Sequence, residues 1–598
     1  MTSHIAENVT SKKQETLDSK SKFIKGDSAS NIESFVLPID ISGKTIAGIA
    51  AGITILSACS SGSGSSGTPV PVNNADASRL LLQSQLSASD AEVSAVVSQG
   101  YSLWLDAQFN APSSMSGWDW LDSRGYNTID STNQYYNATY PGDYMIWSQL
   151  MTSSDAVRKR IAIALSEYFV ISLSGLAMTW PSFAIAAWWD MLVSDALGTF
   201  RQLLEDVTLN AGMGFYLSSR GSQKENLVTG RQPDENYARE VMQLFTIGLY
   251  QLNLDGTPKL DANGKMIETY TLNDVTNLAH VFTGYDWDHS QDSPTTLGSA
   301  SIISPNYTRL PMVLNPSLHS TLEVTFLGTT IPANTDGKTA LKMALDTLFN
   351  HPNVGPFFGR QMIQRLVTSN PSPEYVARVA AIFNNSNGVR GDLKSVFKAI
   401  LLDDEARNPD YANQPFFGKL REPMLRLVQW GRTFGISSAD NSWKIGDVSD
   451  TATRLGQSPL RSPSVFNFFR PGYVPPSTIL AASQKVAPEF QIVNEPTVSS
   501  YLNFMQGVIR NGFAGGTASA IAASYTNELP LAMGDATDLV QRINLLLCAG
   551  QLSAATVTLI VNAVNTMPLP TSTNTGALDR VCAAVFLVMA SSEYLVQK

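Results

Sequence analysis

From residue 79 to the C-terminus, apolar residues recur at three- and four-residue spacing, and this period constrains the fold more than any other feature of the chain. It runs through SDAVRKRIAIALSEYFVIS (154–172) and through 182–196 and 198–210. Between 338 and 407 it returns in KTALKMALDTLFN, PFFGRQMIQRLVTS, EYVARVAAIFNNS and DLKSVFKAILLDDEAR. Side chains of a strand alternate between two faces, whereas those of a helix return to one face every 3.6 residues. The spacing therefore predicts a mainly α fold over 79–598. An apolar content of 43% supports a large core, and the length leaves room for two subdomains. Strand signals are few. The best is NLDGTPKLDANGKMIETY (253–270), whose Asp255-Gly256 and Asn263-Gly264 pairs predict a small hairpin or β-rich excursion. Residues 286–335 and 436–500 are rich in Pro, Ser, Thr and Asn and read as loop-rich insertions, long loops with short strands.

Charge narrows the function. Asp plus Glu number 51 against 41 Lys plus Arg, for a net charge of −10, and no long basic run follows residue 26. That argues against nucleic acid as a partner. Neither a P-loop nor a GxGxxG after a strand is present. The three cysteines and five histidines form no CxxC or HExxH pattern.

The N-terminal region reads as an address. Residues 1–43 are a polar extension expected to be disordered. Lys44 then precedes a short apolar run, 45–58, ending Leu56-Ser57-Ala58-Cys59. The run falls short of the roughly 20 residues of a membrane span and fits the apolar core of a secretory signal. Its end resembles a bacterial lipobox, in which the signal is cut before the cysteine and the cysteine takes lipid. Cys59 is thus the expected lipidation site, and Ser60 after it favours the outer membrane. The expected location is exported, on the periplasmic or cell-surface face of that membrane, held through a lipid. A Ser/Gly/Pro linker over 60–78 follows. A short buried helix with an ordinary thiol at Cys59 is the alternative. Cys548 and Cys582 lie in helix-like runs; they would pair in an oxidising periplasm, or else pack as small hydrophobes.

RQPDENYAREVMQLFTIGLY (231–250) predicts a helix over 234–250 with Asp234 as N-cap. Its wheel places Glu235, Asn236, Arg239, Glu240 and Gln243 on one arc, and Tyr237, Val241, Leu244 and Phe245 on the other. The polar arc is either a solvated face or the wall of a site. Glu235 and Glu240 diverge by about 140°, so neither alone faces the other across a substrate. The next segment, TLNDVTNLAHVFTG, opens with a Thr271-x-x-Asp274 capping pattern and ends at Gly284. It delivers YDWDHSQD, where Asp286, Asp288, His289 and Asp292 crowd together. Such oxygens suit a hard cation such as Ca²⁺, and equally a solvated turn.

PDENYAREVMQLFTIGLYQLN together with LNDVTNLAHVFTGYDW resembles the signature of the domain-of-unknown-function family 1800. The resemblance extends to LSASDAEVSAVVSQGYSLWLDAQF, HPNVGPFFGRQMIQRLVTSNPSPEYVARVAAIF, LGQSPLRSPSVFNFFRPGYVPP and VCAAVFLVMASSEYLVQK, from about residue 79 to the end. It implies a largely helical, secreted bacterial protein without an assigned reaction. It also implies a partner from the secreted family 1501, often encoded alongside.

Two functions follow. One is a binding or assembly role in the cell envelope with that partner. The other is an envelope hydrolase using Glu235, Asn236, Arg239 and Glu240, with His319 or Arg461 from elsewhere. RSPSVFNFFR (461–470) supplies a candidate binding loop through Arg461 and Arg470, because a guanidinium pairs with carboxylates and stacks on rings; His319 is a further candidate. A loop pinned to the core by its phenylalanines is the alternative. A concave site with perturbed titrating groups favours an enzyme, a sealed network favours a scaffold.

Overall fold

The computed structural model describes residues 72–569 and 574–598. The signal segment 44–59, the extension before it and the lipidation candidate Cys59 lie outside the described residues. Pro69–Lys598 forms one compact unit. It is mainly α, with twenty-four α-helices and five two-stranded antiparallel sheets among the described residues.

The first helix, Asn74–Ser84, starts inside the segment expected to be linker, with Asn73 capping Asp76 N. Helices Asp90–Gln99 and Tyr101–Phe109 follow, then Tyr140–Thr152, Ala156–Ser166, Pro181–Asp195 and Phe200–Leu209. Pro181–Asp195 is central to this group. It buries Phe183, Ile185, Trp188, Trp189 and Leu192, and it packs on both Tyr140–Thr152 and Ala156–Ser166. Gly337–Asn350, Val354–Leu366, Pro373–Asn384 and Leu393–Leu402 pack consecutively, as their shared period predicts. Glu495–Asn511, Thr537–Cys548 and Asn574–Ala590 close the C-terminal side. The final strand, Val596–Gln597, pairs with Lys419–Leu420, so the C-terminus is stitched into the body. Buried apolar residues form a continuous cluster from Ala77 to Tyr594. No described helix is long and apolar enough to cross a membrane.

Three departures from the sequence reading position the site. Residues 154–172 are not one helix: it ends at Ser166, and Tyr168 N and Phe169 N bond back to Leu165 O. The chain then runs on buried, which leaves Glu167 and Tyr168 at a helix C-terminus. The helix predicted over 234–250 spans only Asn236–Gln243, with Glu235 rather than Asp234 at the N-cap position. Ile247 N and Gly248 N both return to Met242 O, and Gly248 takes a φ of 69°, a left-handed turn that ends the helix. The hairpin at 253–270 exists, but as nested bridges (Tyr250↔Glu268, Leu252↔Pro258, Leu260↔Met266) rather than regular strands. Short strands form in the insertion, as expected there: Pro294–Leu297 pairs with Ala300–Ile303 and Val324–Phe326 with Thr329–Ile331.

Candidate functional site

A cavity of about 870 Å³ opens where the helix turn at 243–250, the hairpin, the Val354–Leu366 helix and the 465–474 loop converge. Its size lies within the usual range for small-molecule sites. The Val354–Leu366 helix contributes Phe357, Arg360, Gln361, Gln364 and Arg365. These stand at i, i+3, i+4, i+7 and i+8, so they form one face, while Phe358, Met362, Ile363 and Leu366 bury the other. Tyr168, Tyr250, Phe466 and Tyr473 add rings, and Gln243 and Gln491 add amides. Gln364 Nε2 donates to Ser369 O at 3.0 Å and reaches Pro471 O at 3.4 Å, fastening the helix to the loop. Gln491 Oε1 accepts from Arg470 N at 2.9 Å, and Tyr270 donates to Gln243 Oε1 at 3.0 Å.

The charge on this lining is one-sided. Arg360, Arg365 and Arg470 are its cations and Glu167 its single carboxyl residue. Arg360 and Arg470 are exposed, and among the described residues neither guanidinium has an ion-pair partner or a carboxylate bond. That of Arg470 rests 4.7 Å from the Phe466 ring centre, a cation–π contact. Arg365 is buried and held: its NH2 group donates to Glu167 O at 2.8 Å and its NH1 group to Gln361 O at 3.2 Å.

Behind Arg365 lies a sealed cluster. Glu167, Glu422 and Glu489 meet Arg160, Arg365 and Lys419, all of them buried. Lys419 Nζ stands 3.0 Å from Glu489 Oε1 and 3.4 Å from Glu422 Oε1. Gln457 Nε2 donates to Glu422 Oε2 at 2.7 Å. Glu167 accepts no hydrogen bond on either carboxyl oxygen, and its nearest cation is Arg365 Nε at 3.7 Å. Burial first, and then the adjacent Glu422 carboxylate, raise the Glu167 pKa well above the usual carboxyl range. Burial also opposes charge on Glu422, but Lys419, the neighbouring Glu167 carboxyl, Arg160 and Gln457 outweigh it and hold that carboxyl below its ordinary value. Of the two carboxyls, Glu167 is thus the one displaced upward and Glu422 the one displaced downward.

The row that opened the site question divides. Glu235 and Arg239 form a half-exposed ion pair at 3.1 Å, and Thr276 Oγ1 donates to Glu235 at 2.7 Å. Asn236 is exposed. Glu240 is buried with its Oε2 unpartnered, and burial raises its pKa against the pull of Arg239. None of these four lines the cavity; from this helix and its C-cap only Gln243 and Leu244 do so.

Arg470 is the one earlier binding candidate at the cavity. Arg461 makes a buried bidentate pair with Asp143, at 2.8 and 2.7 Å, and His319 is buried with Nδ1 2.9 Å from Thr283 O. Among the described residues no group of three or more His, Cys, Asp or Glu is placed to hold a metal. Asp286 turns to Arg220 at 2.7 Å, Asp288 accepts from Ser290 N, and Asp292 bonds His289, Ser304 and Tyr307 N. Each carboxylate is engaged by its own partners. Cys548 and Cys582 are free, buried thiols. Burial pushes their pKa up to about 12 and about 11.

Fold and site together define a mainly α-helical protein with a cationic, ring-lined cavity beside a sealed acid–base cluster. The chain belongs to the family described as Protein of unknown function (DUF1800), whose model matches residues 79–596. No curated protein and no solved structure gives a significant match.

Proposed function

We propose that this chain is an exported envelope protein that binds a ring-bearing organic anion in the 870 Å³ cavity. The observation that carries the reading is the pair of guanidiniums, Arg360 and Arg470, on a mainly aromatic and amide wall, with no carboxylate paired to either among the described residues. Guanidiniums suit carboxylate, phosphate or sulfate groups through paired donors, and the rings and glutamines suit a flat polyhydroxylated or aromatic body. A net charge of −10 leaves such a pocket as a local exception on an acidic molecule. Export and anchoring rest on the lipobox-like segment ending at Cys59. The family 1501 partner rests on the family resemblance. The exposed Leu254, Leu260 and Met266 of the adjacent hairpin support a protein contact near the rim. The hydrolase reading on Glu235, Asn236, Arg239 and Glu240 has less support, because that row lies outside the lining.

The test uses the aromatic sulfonate 8-anilinonaphthalene-1-sulfonate and its uncharged analogue N-phenyl-1-naphthylamine, both followed by fluorescence. Arg360→Gln and Arg470→Gln are each expected to weaken the sulfonate by roughly five- to tenfold, about 1 to 1.4 kcal/mol, and the neutral dye by less than twofold. Equal loss for both dyes, or none for either, would overturn the assignment.

A further inference from the structure

The cavity and the sealed cluster share Arg365, and that shared residue has a consequence for binding. One end of Arg365 forms cavity wall. Its Nε, with no hydrogen-bond partner, faces Glu167 Oε2 at 3.7 Å. Glu167 is only 4% exposed, both its carboxyl oxygens lack donors, and Glu422 lies against it. From the Glu167 backbone the wall continues into Tyr168, whose hydroxyl is committed to Phe245 O at 3.0 Å and whose ring stands 5.9 Å from the Arg365 guanidinium.

We infer that anion binding in this cavity is coupled to proton uptake by the Glu167–Glu422 carboxyl pair, with Arg365 as the physical link. The inference rests on the anion-binding reading above. The charges facing Glu167 come from three places: the Val354–Leu366 helix brings Arg365, the segment at 419–422 brings Lys419 and Glu422, and the Ala156–Ser166 helix brings Arg160. Behind them the Pro488–Ile492 turn brings Glu489 to Lys419 and Glu422. With Glu167 protonated, three cations oppose two carboxylates and the cluster carries a net positive charge beneath the wall. With Glu167 ionised the cluster is neutral, and Glu167 competes with the ligand for Arg365.

The sign follows from linkage. An anion in the cavity stabilises the protonated, net-positive cluster, so binding takes up protons and affinity falls as pH rises. Because the Glu167 pKa is raised, the fall lies above the ordinary carboxyl range. No histidine lines the cavity to supply a competing transition there.

The experiment measures 8-anilinonaphthalene-1-sulfonate affinity on the full chain from pH 5 to 8.5. The sulfonate stays ionised throughout, so the probe contributes no titration. We expect the wild-type affinity to fall at least threefold across the range, whereas Glu167→Gln, which mimics the protonated acid, varies less than twofold. Calorimetry on the wild-type chain in buffers of different ionisation heat gives a readout independent of any variant, with net proton uptake expected on binding within that pH range. If binding depends on Arg360 and Arg470 but shows no proton uptake, or if Glu167→Gln keeps the wild-type slope, the coupling is wrong and the anion site stands. If the arginine variants bind the sulfonate like wild type, the site itself fails.

Discussion

Single residues decide which charged groups hold the fold and which are free to work. Arg461 is committed to structure: its pair with Asp143 is bidentate, and the side chains are 11% and 3% exposed. Arg461→Ala leaves a carboxylate buried without its cation, a loss of about 3–5 kcal/mol in comparable pairs. Burial raises the Asp143 pKa and Arg461 opposes that rise, so the variant's deficit should shrink at pH 4, where Asp143 takes a proton, relative to pH 8. Adding Asp143→Asn should recover much of the loss at pH 8. Denaturant unfolding of the single and double variants reads both effects, and a deficit independent of pH would remove Asp143 from the explanation. The thiols make a second test at this scale. In a Cys59→Ser background, Cys548 and Cys582 should resist Ellman's reagent at pH 8 in the native protein, because burial disfavours the thiolate. Both should react once guanidinium unfolds the chain without reductant. Silence after unfolding would mean that a disulfide exists.

At the scale of elements, the cavity depends on a helix that stops early. Gly248 sits at φ 69°, and a Cβ there would lie 2.7 Å from the Phe357 ring on the cavity wall. Thr269 Oγ1 donates to Gly248 O, tying the same turn to the far arm of the hairpin. Gly248→Ala should cost about 1–2 kcal/mol for the left-handed backbone alone, with a further loss from displacing Phe357. Sulfonate affinity should fall with it. A folded variant with unchanged affinity would show that this turn does not shape the wall. Periodicity made the helices legible, and the Thr271-x-x-Asp274 capping box formed as its residues dictate. The stop at Gln243 was harder to see. Thr246-Ile247-Gly248 continues an apolar pattern, and only tertiary contacts distinguish a turn from another helical repeat. The site was less legible for a related reason. The eye goes to charges clustered in sequence, as in ENYARE, whereas the cavity gathers Glu167, Gln243, Arg360 and Arg470 from four distant segments. The row Phe357, Arg360, Gln361, Gln364, Arg365 did carry a signal, since two arginines and two glutamines repeat on one helical face beside a phenylalanine. A wheel of PFFGRQMIQRL would have shown it. The crowded Asp286–Asp292 segment shows the converse: neighbours in sequence diverge at a turn, and each carboxylate has its own donor.

For the molecule as a whole, buried carboxyls set how stability responds to pH. Burial raises Asp190 to about 6 despite backbone bonds from Trp118 and Gly117. Burial, then the neighbouring Asp206 carboxylate, raises Asp195 to about 7. Glu167 and Glu489 are displaced in the same direction, again chiefly by burial. The unfolded chain releases these protons near pH 4, and the folded chain releases them only at higher pH. Between those limits the folded state holds more protons, so stability falls as pH rises, and it levels off above about 7 for Asp195. Capping aspartates such as Asp274 and Asp336 act in the opposite sense, but their lowered values place that gain below the ordinary carboxyl range. The two sets therefore leave a stability maximum near the acid end of the working range. Denaturant midpoints of the wild-type chain should fall from pH 5 to pH 7.5. Asp195→Asn removes one of the late protons without changing side-chain size much. It should flatten that fall, giving a chain about as stable as wild type at pH 5 and more stable at pH 7.5, by a margin on the order of 1 kcal/mol once partial solvent screening is allowed for. Parallel wild-type and variant curves would show that the Asp195–Asp206 pair ionises in the folded protein as freely as in water. The falling limb would then have to come from the Glu167 cluster, which Glu167→Gln tests by the same measurement.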